Sequence, residues 1–423
     1  MGVEEDLSPT LMRKAVALAT RLGSFEAARE SLAETLEVEL TIKRVERLAR
    51  RIGGERVWER AQELAAWEGL PLVEKLAAPP GVKPPAVACV MYDGGRLQRC
   101  DLPPEAKSHW CETKVGVLLE WQPPQHTADP CPELPDTFRD LAKMDTLTRE
   151  IHRTAAERAA VPAGQVFGPA AAEPAESETS PTPPPDAIAA ARAAVVCQPP
   201  VVTGRDVAAA LVCSLLFGRY LAARAWALGF AAATRKAFVA DGQAAHWGIW
   251  ERHFKHLKFV PILDFIPALT YVYAAALAGR SPVEGGPIDL RWISWVWQGQ
   301  VAQVIAELAA RAVELGPPPA DAGETDPRQI IAGTLTYLAN QQSRMNYPEY
   351  RRQGLPITSS HIESTVKQIN QRVKGSEKFW TAEGGEALLQ LRADQLSDTQ
   401  PLSLHWLRRS RSATGTRTYT KAA

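Results

Sequence analysis

The sequence holds no C-x-x-C pair, no apolar run long enough to cross a bilayer and no excess of charge of either sign. Its six cysteines (Cys89, Cys100, Cys111, Cys131, Cys197 and Cys213) lie far apart, which fits reduced thiols and speaks against a disulfide frame or a zinc ribbon. The longest apolar run, Val207 to Gly218, is too short for a membrane span and leads into Arg219 and Arg224. The opening MGVEEDLSPT is acidic and lacks the apolar stretch of a secretory signal, so a cytoplasmic protein with no membrane partner is expected. Because 48 Lys and Arg balance 48 Asp and Glu, any affinity for nucleic acid must come from local clusters of charge. No internal repeat is visible.

What is present is a chain of 423 residues, 45% hydrophobic and 23% charged, long enough for two or three globular domains. Residues 1–80 read as an N-terminal helical module of three or more short helices. Gly23-Ser24 ends one helix and caps the next, and Thr41 caps TIKRVERLARRIG. In that segment Ile42, Val45, Leu48, Ala49 and Ile52 form an apolar stripe, while Lys43, Arg47, Arg50 and Arg51 lie on other faces. A cationic helix behind a short turn suits a helix-turn-helix reader of DNA; a solvated bundle face is the competing reading.

LAAPPGVKPP breaks the helical pattern. Residues 86–152 then carry strand-like runs, AVACVMY, GRLQRC and KVGVLLEW, expected as an antiparallel meander. Residues 153–200 are dominated by Ala, Pro, Glu, Ser and Thr and read as a disordered insert. Residues 201–280 resume with an Ala- and Leu-rich helical stretch from Gly204 to Thr234. The strand AFVA follows, then a helix with Trp247 and Trp250, the strand FVPIL and a further helix. Residues 281–345 read as a helical insertion, 346–396 as a closing helical region and 397–423 as a basic tail. An antiparallel trio continued by strand-helix-strand units predicts an α/β fold with a mixed sheet, the layout of an RNase H-like core.

Three acids stand where chemistry needs them: Asp93 after AVACVMY, Asp241 after AFVA, and Glu363 at a helix start. Carboxylates at the ends of neighbouring strands and on a facing helix can converge on Mg²⁺ or Mn²⁺, and two such ions about 4 Å apart can activate a water or 3′-hydroxyl on one side of a phosphodiester and stabilise the leaving oxygen on the other. Each acid also has a plainer role. Asp93-Gly94 suits a hairpin turn, Asp241 and Asp264 suit helix caps, and Ser360 with Glu363 has the spacing of a capping box. His246, His253 and His256 have no acid or cysteine at helical spacing and read as surface or packing residues.

Several blocks in order, DGGR at Asp93, WCETKVG, VADGQAAHWGIW, HFKHLKFVPILDF and YRRQGLPITSSHIESTVKQINQRVKGSEKFW, resemble bacterial insertion-sequence transposases of the ISKra type. That resemblance implies a DDE enzyme with an RNase H-like core. It would bind the ends of its element, cut DNA and transfer strands, with two Mg²⁺ or Mn²⁺ ions held by Asp93, Asp241 and Glu363. Asp264 is the alternative second ligand, and the histidine expected three residues after it is Pro267 here. It further implies a homo-oligomer assembled on DNA in a bacterial cytoplasm, at the nucleoid. The alternative is a remnant that only binds the ends. Besides Lys43, Arg47 and Arg50, the expected DNA contacts are Arg351, Arg352, Lys367, Arg372, Lys374 and Lys378, with a tail carrying Arg408, Arg409, Arg411, Arg417 and Lys421.

Overall fold

The computed structural model describes residues 7–149, except 104, 107, 141, 143 and 147, and residues 201–414. The insert expected over 153–200, with Cys197, lies outside the described residues, as do the side chains of Arg411, Arg417 and Lys421.

In chain order come helices α1 (Pro9–Arg21), α2 (Phe25–Leu36), α3 (Ile42–Glu68) and α4 (Leu72–Lys75), then strands β1 (Val87–Arg99), β2 (Trp110–Trp121) and β3 (Val202–Ala210). These are followed by α5 (Ser214–Ala227), β4 (Arg235–Ala240), α6 (Ala244–Ile249) and β5 (Val260–Leu263). Next are α7 (Phe265–Leu277), α8 (Pro282–Trp297), α9 (Val301–Leu315), α10 (Pro327–Gln341) and α11 (Tyr347–Arg352). The chain closes with α12 (Ser360–Val373), β6 (Phe379–Trp380), α13 (Ala382–Leu396) and α14 (Pro401–Thr414). Among the described residues no helix is long and apolar enough to cross a membrane.

The sheet is mixed, with strand order β3-β2-β1-β4-β5 and β6 against the far end of β1. β1, β2 and β3 are antiparallel neighbours, whereas β4 runs parallel to β1. The hairpin turn expected at Asp93-Gly94 does not form: AVACVMY and GRLQRC belong to one 13-residue strand. The reason is pairing, because β2 extends back to Trp110 and matches β1 from Val87↔Trp121 to Gln98↔Trp110 without a break. The third strand of the trio comes from VTGRDVAAA, most of which the sequence pattern predicts as helix. Its pairing with β2 and a buried ion pair between Asp206 and Arg224 of α5 (2.6 Å) outweigh the helical preference of its alanines.

The described residues divide into two compact units, the first within 7–122, 202–261 and 359–414, the second within 123–149, 201 and 262–358. In the first, Ser8, Ser24 and Thr41 cap α1, α2 and α3, each accepting a bond from a backbone N–H three residues on. α3 does not end at Gly53-Gly54 but runs 27 residues. Gly53 is there for close approach: a Cβ on it would stand 2.5 Å from Ala387 O on α13. The same helix pair is tied by Arg56, buried, whose Nε lies 2.8 Å from Asp394. The N-terminal helices, expected as a domain of their own, thus share an apolar core with Leu391 and Trp406. α5 covers the opposite sheet face, where Gly116 leaves room for Leu221 and Phe217.

The second unit is helical. Phe265 of α7 packs edge-on to Trp297, Tyr347 and Phe138, and Arg351, buried, lies 3.9 Å over the Trp297 ring. Gly299, at φ +73°, turns the chain between α8 and α9.

Candidate metal centre

Register brings the first two acids together. On the parallel pair β1 and β4, Met91 is the partner of Val239, and two residues further along each chain stand Asp93 and Asp241, on the same face. Asp93 stays within β1, with its Oδ1 accepting the Gly94 N–H at 2.7 Å. Asp241 begins the turn after β4, where Gly242 takes φ +100° and the carboxylate accepts bonds from the Gln243 backbone (3.1 Å) and side chain (2.8 Å). That turn swings α6 back so that His246 returns to the pair. Donor atoms of Asp93, Asp241 and His246 all lie within 4.8 Å of one another.

His246 is buried, its Nδ1 2.8 Å from Asp241 Oδ1 and its ring edge-on to Tyr92 at 4.5 Å. Burial raises the Asp241 carboxyl, but contact with His246 and the Gln243 bonds outweigh it and hold the group below its ordinary value. The Tyr92 phenol is driven well above its usual range by burial, opposed by a bond with Ser214 and reinforced by the charges of Glu112, Asp93 and Asp241. The neighbouring carboxylates that raise Tyr92 are the kind of charge a cation site requires.

Glu363 lies in the first turn of α12, exposed, on the flank of a stripe formed by Ile362, Val366, Ile369 and Val373. A Cβ on Gly95 would meet Asn370 Oδ1 at 3.0 Å and Val366 at 3.7 Å, and further on Gln98 Nε2 donates to Gly375 O. α12 therefore runs alongside β1 in the same direction. Stepping back from Gly95 to Asp93 covers ~6.6 Å, or about four helical residues, which sets Glu363 about level with Asp93. Glu363 is outside the 4.8 Å cluster. The Ser360 capping box is not formed, since Ser359 is the cap and Ser360 already helical. Asp264 belongs to the second unit, fully buried, its carboxylate capping α7 through the Ile266 N–H at 2.9 Å.

The expected DNA contacts separate into two groups. Lys43, Arg47 and Arg50 are exposed on α3, as are Lys367 and Lys374, while Lys378 is half-buried. Arg351, Arg352 and Arg372 are committed elsewhere. Arg351 is buried against Asp129, Arg352 holds Glu349 with two bonds of 2.6 Å, and Arg372 is buried between Phe25 and Trp380 with its Nε on Ala19 O. Burial pulls the Arg372 guanidinium down to about 10. In the tail, Arg408 and Arg409 pair with Glu59 and Glu55 of α3.

His246 is the residue that the sequence pattern missed. Its signal is the spacing Asp241-x₄-His246 across a strand-turn-helix junction, which brings the two together only once Gly242 has turned the chain. His253 is half-buried and His256 exposed, as expected. No family model matches the chain, and a search among curated proteins finds no match in sequence.

Proposed function

We propose that the chain is a DDE-type DNA transposase on an RNase H-like core, which binds element ends as a homo-oligomer and cuts and rejoins DNA with Mg²⁺ or Mn²⁺. The observation that carries this reading is the equal register of Asp93 and Asp241 on β1 and β4, in a sheet of three antiparallel strands continued by a parallel one. The order β3-β2-β1-β4-β5 and a helix carrying Glu363 along β1 agree with it.

Asp93 and Asp241 supply hard oxygen donors that suit these ions, with Glu363 on the neighbouring helix. When bound, a pair of such cations activates the attacking oxygen and stabilises the leaving one in an in-line transfer. The chain's own task is to fix geometry. The β1–β4 ladder holds the first two acids, the Gln243 bonds orient Asp241, and Lys367 and Lys374 on and after α12 offer charge to a phosphate backbone.

The test is nicking of DNA carrying the element's terminal inverted repeats, with and without Mg²⁺. Metal-dependent nicks at the repeat ends support the enzyme. Binding of the repeats with no nicks in Mg²⁺ or Mn²⁺ makes the chain an end-binding protein instead, and neither binding nor nicking removes the reading.

A further inference from the structure

We infer that His246 is itself a cation ligand, and that its nitrogen makes this centre prefer a first-row transition ion such as Mn²⁺ over Mg²⁺. The inference rests on the metal centre proposed above and goes beyond it, because an all-carboxylate triad has no nitrogen donor to add to such a preference.

Two features of the contact suit a ligand, the second of them more telling than the first. The first is distance. Adjacent ligands of an octahedral ion with bonds of ~2.1 Å stand about 3.0 Å apart, and Nδ1 of His246 is 2.8 Å from Oδ1 of Asp241. The second is direction. A histidine that merely orients an aspartate donates its N–H along the line to the oxygen. Here Nδ1 is buried and close enough to Oδ1 to help hold the Asp241 carboxyl below its ordinary value, yet its N–H is not aligned on that oxygen. The nitrogen therefore points past Oδ1, and a donor atom of Asp93 completes the group within 4.8 Å.

The ring is also held for the task. His246 is 3% exposed, with Tyr92 edge-on against it, and Tyr92 packs in turn on Phe217 of α5 at 5.5 Å. A ring so confined loses little freedom when an ion enters. Imidazole nitrogen is a softer donor than carboxylate oxygen and favours transition ions, whereas Mg²⁺ keeps to oxygen and to its own waters.

The experiment titrates the full chain with MnCl₂, following free Mn²⁺ by electron paramagnetic resonance, and then displaces it with MgCl₂. The native chain should need an Mg²⁺ excess of about tenfold or more for half-displacement, and His246→Gln should weaken Mn²⁺ binding about tenfold or more. His246→Asp should still bind, now with the two ions within about threefold of each other, which provides an answer should the Gln variant fail to fold. Native Mn²⁺ affinity and native Mg²⁺ competition in either variant overturn the role of His246 while leaving the carboxylate centre standing. Absence of Mn²⁺ binding by the native chain overturns the centre and the ligand together.

Discussion

Asp289 sits inside α8, fully buried, and neither of its carboxylate oxygens has a hydrogen-bond partner. Burial alone pushes this group from an ordinary 3.8 up to about 7. That difference corresponds to ~4 kcal/mol. Because the folded value lies above the unfolded one, the native state keeps a proton that the unfolded chain gives up. The stabilisation is complete below pH ~4, is lost progressively as pH rises to about 7, and is absent above that. Asp289→Asn keeps the shape and removes the ionisation. The variant should match the native chain near pH 4 and exceed it by up to ~4 kcal/mol at pH 8. Urea unfolding at a series of pH values, read by the fluorescence of Trp292, Trp295 and Trp297 on the same helix, gives the difference between the two curves. A difference that does not change with pH would refute the reasoning, because it would mean that Asp289 ionises in the folded state as freely as in the unfolded one.

Asp93→Asn, Asp241→Asn and Glu363→Gln should each abolish Mg²⁺-dependent nicking in a gel assay while DNA binding persists, and a native rate in any one of them removes that residue from the site. Replacing Lys43, Arg47 and Arg50 together with Gln should lower the slope of log affinity against log salt by about 2 to 3, and an unchanged slope in a folded variant would make α3 a solvated face. Gly53→Val forces a Cβ to within 2.5 Å of Ala387 O, so α3 and α13 must separate. A loss of at least ~2 kcal/mol should appear as a lower Tm, and an unchanged Tm would show that the helices are not in contact there.

The strands of the sheet were legible where side chains alternate or run apolar, as in AVACVMY, AFVA and FVPIL, and so was the helix start that carries Glu363. VTGRDVAAA was not, because alanine favours helix locally and only the β2 ladder and the Asp206–Arg224 pair make it a strand. Asp93-Gly94 has a turn's chemistry but lies opposite Val115 and Lys114 in an unbroken ladder, and no local rule conveys that a partner strand continues past it. For the candidate site, Asp93 and Asp241 stood out after the apolar runs AVACVMY and AFVA, although Asp93 lies within β1, whereas His246 required knowledge of where the chain turns. Counting positive charge between 341 and 380 overstates the number of exposed cations. Composition does not distinguish an exposed Lys374 from an Arg372 sandwiched between two aromatic rings or an Arg351 spent on Asp129.

The pairing of α3 with α13 sets an order on how the molecule can be made. Arg56 and its partner Asp394 are 338 residues apart in sequence, so at roughly 5–20 residues per second a nascent chain exposes Arg56 about 20 to 70 s before Asp394 is synthesised. Through that interval the apolar face prepared for Leu391 and the glycine seat for Ala387 stand open. β1 and β4, with Asp93 and Asp241, are made in the course of that interval, and the helix carrying Glu363 follows them. Under the function proposed here, the nascent chain therefore acquires its acids in sequence, and a product cut short before α12 would carry two of the three carboxylates with no third to complete a nuclease.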